Sequence, residues 1–342
     1  MGQKGFWDLE QRQQKLNEKK DVLVTLNQMI PWERFRELLE SAREKPRKSN
    51  AGRKPTDAIL LFKLLILQQL YNISDEELEY QVNDRLSCMQ FLGLSLEDAV
   101  PDATTLWLFR QQLTDSGKVS EIFEQFEGYL RWQGYVAQGG QIIDATLIPV
   151  PKQRNKREEN QQIRQGEIPQ DWQEQPHKLA QKDVEARWTK KNGVSYFGYK
   201  NHVGIDVTHG FIRRYEVTDA SVHDSRIIGQ LLDETNEGES FWADSAYRSA
   251  AIETVLAWMG FESQVNERGS RNHPLTEAQQ QANRIKSQIR AKVEHVLGGW
   301  VMQMGGKLVR SIGIARAKTN LGLKNLAYNF LRYRFWELKT AE

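Results

Sequence analysis

Three acidic residues stand where an acidic side chain is unusual and could bind a metal ion. Asp144 lies inside the apolar stretch IIDAT (142–146), and Asp244 ends the apolar stretch FWAD (241–244). Removing such a carboxylate from water costs on the order of several kcal/mol unless it is paired or coordinates a cation. Glu294 lies in the basic segment RIKSQIRAKVEHVLG (284–298). These three carboxylates are therefore the first candidates for a metal site.

Each of the three acids also has an ordinary structural interpretation. Asp144 could end a shorter strand at its edge, and Asp244 could cap the helix that follows it. Glu294, among basic neighbours, could be an exposed helix acid. The three together carry more weight than any one alone, because they fall on the first strand, the fourth strand and the last helix of one predicted domain.

The elements of that domain follow Gly139-Gly140, where the sequence pattern changes from helical to strand-like. A hairpin meander followed by alternating helices and strands predicts a mixed sheet covered by helices. Asp224 is the predicted cap of the first helix, and Gly298-Gly299 is the predicted end of the last. The predicted strands are 141–150, 196–207, 210–218, 239–244 and 261–266, and the predicted helices are 224–233, 249–259 and 276–297.

The region before Gly139 reads as helical throughout. Residues 6–44 have apolar positions at helical spacing, and the basic segment 43–54 is rich in turn-forming residues. Thr56 is the predicted cap of the next helix, and Ser74 with Glu77 matches a capping box. Short helices over 56–113 suit a helix-turn-helix-like DNA module and equally suit a small helical bundle.

Residues 151–192 form a polar excursion between two predicted strands. Eight of these 42 residues are apolar and eight are glutamine. Such a composition predicts a segment without a core of its own, either a mobile loop or an arm that a partner orders.

Several motifs in this order resemble those of bacterial DDE transposases of the Insertion-Sequence-5 family. The block 53–113 also resembles the helical N-terminal domain typical of such transposases, and the resemblance covers roughly residues 50–335. The motifs are IIDATLIP (142–149), YFGYKNHVGIDV (196–207), VTDASVHDS (217–225), WADSAYRS (242–249) and RIKSQIRAKVEHVLG (284–298).

The resemblance implies an α/β fold, with a ribonuclease-H-like mixed-sheet catalytic domain after an all-helical DNA-binding and dimerisation region. The corresponding division is a helical region at 1–48, a DNA-binding domain at 49–135, a catalytic domain at 136–305 with a flexible insertion at 151–192, and a basic helical tail at 306–342.

The activity implied is metal-dependent cleavage of transposon ends and transfer of the 3′-hydroxyl into target DNA. Two Mg²⁺ ions, which Mn²⁺ could replace, would do the chemistry. Asp144 would bridge the ions, and Asp244 and Glu294 would each complete one site. The implied partners are terminal inverted repeats, target DNA and a second copy of the chain in a homodimer, without a membrane. The implied location is the bacterial cytoplasm, at the nucleoid.

One departure from the related pattern concerns the last catalytic helix. That pattern places Tyr, Arg, Glu and Lys at spacings of 3, 4 and 7, and here Arg290 and Glu294 fit. Position 287 is Ser and position 301 is Val. Lys307 or Lys292 could supply the missing cation.

Two further residues are candidates for contact with phosphate. His223 could lie beside the scissile phosphate or behind a metal ligand, or it could be incidental next to a capping Asp224. Arg290 precedes Glu294 by one helical turn, so it could clamp a phosphate or pair with Glu294.

Charge is distributed unevenly along the chain. Residues 284–342 carry twelve basic and three acidic side chains, whereas the net charge of the whole chain is +2. This asymmetry indicates a surface that faces a polyanion, which a solvated amphipathic helix would also explain. The residues predicted to bind DNA are Arg47, Lys48, Arg53, Lys54, Lys200, Lys307, Arg310, Arg316 and Lys318.

Other classes are excluded or kept as alternatives. The single cysteine, Cys88, rules out an internal disulfide and any zinc site that needs two thiolates. No apolar run reaches the length of a membrane span. A nuclease of the same fold without strand transfer, or a domesticated DNA-binding protein, would fit most of the same observations.

Overall fold

The computed structural model describes residues 8–19, 21–44, 55–191, 193–236, 238–270 and 273–340. The predicted DNA contacts Arg47, Lys48, Arg53 and Lys54 lie outside these residues.

Within the described residues, eight α-helices precede the sheet. Asp57 caps α4 (Ala58–Tyr71) by accepting from the backbone N–H groups of Ile59 and Leu60 at 2.9 and 3.0 Å, so the prediction that Thr56 is the cap is wrong. Ser74 caps α5 (Asp75–Asp84) as predicted. The helices are α1 (Asp8–Glu18), α2 (Val22–Met29), α3 (Arg36–Ser41), α4 (Ala58–Tyr71), α5 (Asp75–Asp84), α6 (Leu86–Leu92), α7 (Ala103–Ser116) and α8 (Lys118–Trp132).

The sheet has six strands. They are β1 (Gln141–Pro149), β2 (Arg187–Lys191), β3 (Val194–Asp206), β4 (Ile212–Asp219), β5 (Ser240–Trp242) and β6 (Glu262–Ser263). β3 is antiparallel to β1 on one side, and on its other side it pairs with β2 along its first half and β4 along its second. β5 is parallel to β1, and β6 is parallel to β5.

This strand order confirms the predicted fold class. Without the added strand β2, the spatial order is β4-β3-β1-β5-β6, an antiparallel meander joined to two parallel strands. That is the order of a ribonuclease-H-like sheet, and it follows an all-helical region as predicted.

Residues 151–191, the described part of the polar segment, are anchored to the sheet, so the prediction that this segment lacks a core is wrong. It contains α9 (Arg157–Arg164), α10 (Gln170–Gln173), α11 (Pro176–Leu179) and the edge strand β2. Trp172 is fully buried, and its indole N–H donates to Glu159 at 3.0 Å. Buried Asp183 accepts from the Tyr199 hydroxyl at 2.8 Å. A few large side chains and one satisfied carboxylate replace the missing apolar residues.

Helices cover both faces of the sheet. On one side lie α12 (Ile228–Leu231) and α13 (Ala250–Trp258), which pack with Ile143 and Phe241. On the other lie α14 (Glu277–Met302) and α15 (Ile314–Thr340), which belong to the main core with Ile142 and Trp242.

Helix α14 continues through Gly298 and Gly299, so its predicted end there is wrong. The next residue, Trp300, is fully buried and keeps the helix packed against the core. A side chain at position 299 would lie 3.7 Å from the Tyr328 ring, which places the two helices in close contact there.

Helix α15 is a central helix of the core. We expected 306–342 to be a basic tail on the surface, but Leu321, Leu326 and Phe330 are fully buried. The helix packs against α4, α7, α8 and β4 and joins the helical region to the sheet. Of its aromatic residues, Phe330 and Tyr333 are buried in the protein, whereas Phe335 is 47% exposed. No helix of the described ranges is long and apolar enough to cross a membrane.

Candidate active site

The register of β1 and β5 places Asp144 beside Asp244. Ile142 lies opposite Trp242 in this parallel pair, and each aspartate follows its strand partner by two residues. Asp244 keeps an extended backbone, with φ −75° and ψ 172°. Because side chains alternate and neighbouring strands lie about 4.8 Å apart, both carboxylates project from the same face of the sheet.

Asp144 is only partly compensated. One of its oxygens accepts from the N–H of Ala145 at 2.8 Å, and the other lies 3.4 Å from Nη1 of Arg290. The pKa of Asp144 is raised to about 6, mainly by burial. The hydrogen bond from Ala145 and the charge of Arg290 oppose this rise, and the negative charges of Asp244 and Glu294 contribute to it. The three predicted acids therefore act on one another electrostatically.

Asp244 has the capping role that the sequence left open. Its Oδ1 accepts from the N–H of Ala246 at 2.7 Å, at the start of a 3₁₀ turn over Ser245–Tyr247. The bond orients the carboxylate beside Asp144, so capping and a place in the acidic group are compatible.

Glu294 comes to the same edge from helix α14. This helix packs against β1 and β5, with Val293 buried and Glu294 exposed beside it. Arg290, one turn earlier on the same face, forms its ion pair with Asp144. The pairing with Glu294 that the sequence left open is therefore not the one observed.

The chemistry of this group suits hard divalent cations, which prefer carboxylate oxygens. Within the described ranges, no three Asp, Glu, His or Cys side chains lie close enough to hold one ion together. Two ions that share Asp144 need only two carboxylates each, Asp144 with Asp244 and Asp144 with Glu294. A cation between them would also relieve the repulsion that raises the pKa of Asp144.

Lys307, and not Lys292, is the lysine beside the acids. Its ammonium donates to the Thr146 hydroxyl at 2.9 Å, and Thr146 lies two residues beyond Asp144 on the same face of β1. Lys292 instead donates to the carbonyl of Val207 at 3.1 Å.

Sequence reasoning missed Tyr247 and gave Asp224 only a capping role. The Tyr247 hydroxyl is buried and has no hydrogen-bond partner among the described residues. Burial raises its pKa well above the ordinary value, and the charges of Asp224, Asp144 and Asp244 act in the same direction. Both residues stand inside motifs that the sequence analysis quoted, but nothing in their spacing predicted that they meet.

His223 and Lys200, which were predicted to contact phosphate or DNA, instead have partners within the protein. The His223 ring is exposed and accepts from the N–H of Ser225, so His223 rather than Asp224 caps the turn that follows. Asp224 is instead ion-paired with Lys200 at 2.8 Å, so Lys200 is already neutralised.

The remaining predicted DNA contacts differ in their surroundings. Lys318 is paired with Glu216 at 2.7 Å, and Arg316 donates to Gln111 at 2.8 Å. Arg310 is exposed and donates to the carbonyl of Asn72 at 3.1 Å.

Two family matches cover most of the chain. Residues 10–112 match the Transposase domain (DUF772), and residues 137–330, more than half of the chain, match the Transposase DDE domain. The chain belongs to the DDE transposases. It is a DNA transposase, an enzyme that cleaves DNA and transfers strands, and the family generally uses divalent metal ions.

One solved structure is similar to this transposase. It is the cryo-EM structure of a piggyBac transposase synaptic complex with hairpin DNA. The similarity has a TM-score of 0.45 at 11% sequence identity, and it covers 94% of this chain and 75% of that chain.

Proposed function

We propose that Asp144, Asp244 and Glu294 are the catalytic carboxylates and that they hold two Mg²⁺ ions, which Mn²⁺ could replace. The observation that carries this proposal is the position of Asp144: its side chain is 15% exposed, it lies beside Asp244 in the sheet, and its pKa is raised to about 6 with Asp244 and Glu294 contributing to the rise. A group of acids kept together against their own repulsion is suited to binding cations.

In this mechanism Asp144 would contribute to both metal sites, Asp244 would complete one and Glu294 would complete the other. When bound, the ions supply an activated water or 3′-hydroxyl and stabilise the leaving oxygen. Arg290 partly neutralises Asp144 in the free protein, and the same guanidinium is placed to bind a DNA phosphate at the acidic edge. Lys307, held by Thr146, adds a second positive charge there.

The finer assignments belong to the same proposal. We infer that the transposase is of the Insertion-Sequence-5 type and acts as a homodimer on terminal inverted repeats and target DNA, at the bacterial nucleoid. The order of motifs from IIDATLIP to RIKSQIRAKVEHVLG supports this subgroup.

The test is cleavage of a DNA duplex that carries one end of the element. We expect Asp144→Asn, Asp244→Asn and Glu294→Gln each to lower cleavage with Mg²⁺ by roughly a thousandfold, which corresponds to about 4 kcal/mol of barrier. DNA binding without metal should remain. Glu121→Gln removes an exposed carboxylate that is paired with Lys118, and it is the matched control. Normal cleavage by Asp144→Asn would refute the assignment.

A further inference from the structure

A second feature lies next to the acids, at the junction between the helical region and the catalytic domain. A cavity of about 310 Å³ opens between the α4–α5 turn, α7, the segment 307–311 and α15. Its lining includes the cationic side chains of Lys307, Arg310 and Lys324.

The oxygens that these three cations contact are neutral. Lys324, only 2% exposed, donates to the carbonyls of Met304 and Gln69 at 3.1 and 3.4 Å. Arg310 donates to a backbone carbonyl and Lys307 to the Thr146 hydroxyl. Among the residues that the structure describes, no carboxylate lies within 4.0 Å of their charged nitrogens. The lining of the cavity also includes two carboxylates, Asp75 and Glu76, but neither is paired with these three cations.

The pKa values of Lys324 and Lys307 show that it is unfavourable to bury these positive charges close to other cations. The pKa of Lys324 is lowered to about 8, mainly by burial and also by the positive charge of Arg310. Burial also lowers the pKa of Lys307, and Lys191 adds to the effect. The Trp300 ring, 5.7 Å from the Lys324 ammonium, compensates only part of the charge.

The rest of the lining carries one ion pair, a further carboxylate and an exposed aromatic ring. Arg110 is ion-paired with Asp75, and Glu76 is exposed, so the positive charges of the lining still exceed its negative charges. Trp107 also lines the cavity, and 45% of it is exposed. A ring beside a row of cations is the arrangement with which proteins hold a single DNA strand, by stacking a base and binding its phosphate.

Lys307 connects the cavity to the proposed catalytic site, since it lines the cavity and bonds to Thr146 beside Asp144. We propose that the cavity binds the DNA strand that adjoins the cleaved bond, with a phosphodiester between Arg310 and Lys324 and a base against Trp107. The position of this strand relative to the cleaved bond rests on the proposed function, because that function places the catalytic site at Asp144.

The experiment measures DNA affinity against salt concentration, in EDTA so that cleavage and metal binding do not contribute. The probe is a fluorescein-labelled duplex of the element end with a ten-nucleotide single-stranded extension, followed by anisotropy. Each phosphate contact contributes about 0.7 to 0.9 to the slope of log K against log [salt]. We expect Arg310→Gln and Lys324→Met each to lower the slope by about that amount.

Trp107→Leu should weaken binding roughly tenfold and leave the slope unchanged, because stacking is not ionic. Lys118→Gln is the matched control, since it removes a cation that is paired with Glu121 on the surface of α8. It should change neither affinity nor slope.

Unchanged slopes in Arg310→Gln and Lys324→Met would overturn the proposal. A lower melting temperature of Lys324→Met with an unchanged slope would show that Lys324 only caps two carbonyls. If Lys324→Met does not fold, exposed Arg310 and Trp107 still decide the question. Asp144→Asn should bind the probe with the wild-type slope, so a failure of the catalytic assignment appears in the cleavage assay and leaves this result standing.

Discussion

Asp144 and Asp206 are two carboxylates of one sheet with opposite electrostatic surroundings. Asp206, at the end of β3, is fully buried, yet it accepts from Arg213 at 2.9 Å and from the N–H groups of His209 and Phe211. Burial would raise its pKa, but the His209 hydrogen bonds and the Arg213 charge outweigh burial and lower it. Asp144 has one local N–H and a longer contact with Arg290, and its pKa is raised to about 6.

The difference teaches that burial of an acid does not by itself mark a functional site. Arg213 also binds Glu127 of α8 at 2.8 Å, so the Asp206 network joins the helical region to the sheet. Compensation inside the protein makes Asp206 structural. Incomplete compensation at Asp144 is what the proposed role in binding a cation requires.

The largest effect expected from this comparison is on folding. Asp206→Asn should lower the free energy of unfolding by roughly 3–5 kcal/mol, because it leaves the buried Arg213 partly unpaired. Denaturant unfolding measures the loss, and cleavage per folded molecule should stay near wild type. The comparison breaks if Asp206→Asn unfolds with wild-type stability, or if the folded fraction no longer cleaves.

The pH dependence of stability should have opposite signs at the two sites. In EDTA, the raised pKa of Asp144 means that the folded protein loses stability as pH rises from about 4 to about 6. Asp144→Asn should therefore be more stable than wild type above pH 6, by on the order of 2 kcal/mol, and equal to it near pH 4.

Asp206→Asn should behave in the reverse way. Because the pKa of Asp206 is lowered in the folded protein, ionised Asp206 stabilises the fold at pH values above the ordinary carboxyl pKa. This stabilisation is lost as the pH falls through the lowered pKa. Its deficit against wild type should shrink in acid. Parallel pH profiles for the two variants would contradict the contrast between the sites.

Two tyrosines extend the comparison to a smaller effect. The Tyr199 hydroxyl donates to buried Asp183, whereas that of Tyr247 is buried among three acids without a partner among the described residues. Tyr199→Phe should cost about 1–3 kcal/mol of stability by leaving Asp183 less satisfied. Tyr247→Phe should cost less than about 1 kcal/mol. Thermal melts of the two variants measure this difference in stability. An equal loss of stability in both variants would contradict the contrast between the two tyrosines.

Much of the fold follows from local sequence signals. Alternation predicted β1 and β3 almost to the residue, and Ser74 was recognised as a cap from its own neighbours. The chain order of the other five strands also came from the sequence, whereas the edge strand β2 was not predicted. The catalytic role of the three acids stays a prediction. Such signals depend on only a few neighbouring residues, so they can be interpreted without knowing which distant parts of the chain they contact.

Tertiary structure alone decided which charges meet. The sequence could not choose between Lys307 and Lys292, and it did not predict that Lys200 pairs with Asp224 or that Arg290 pairs with Asp144. It also placed α15 on the surface, because a high count of basic residues hid an apolar core helix. Composition and period determine which elements form. Whether a buried charge is neutralised depends on groups far away in the chain, and only folding brings them together.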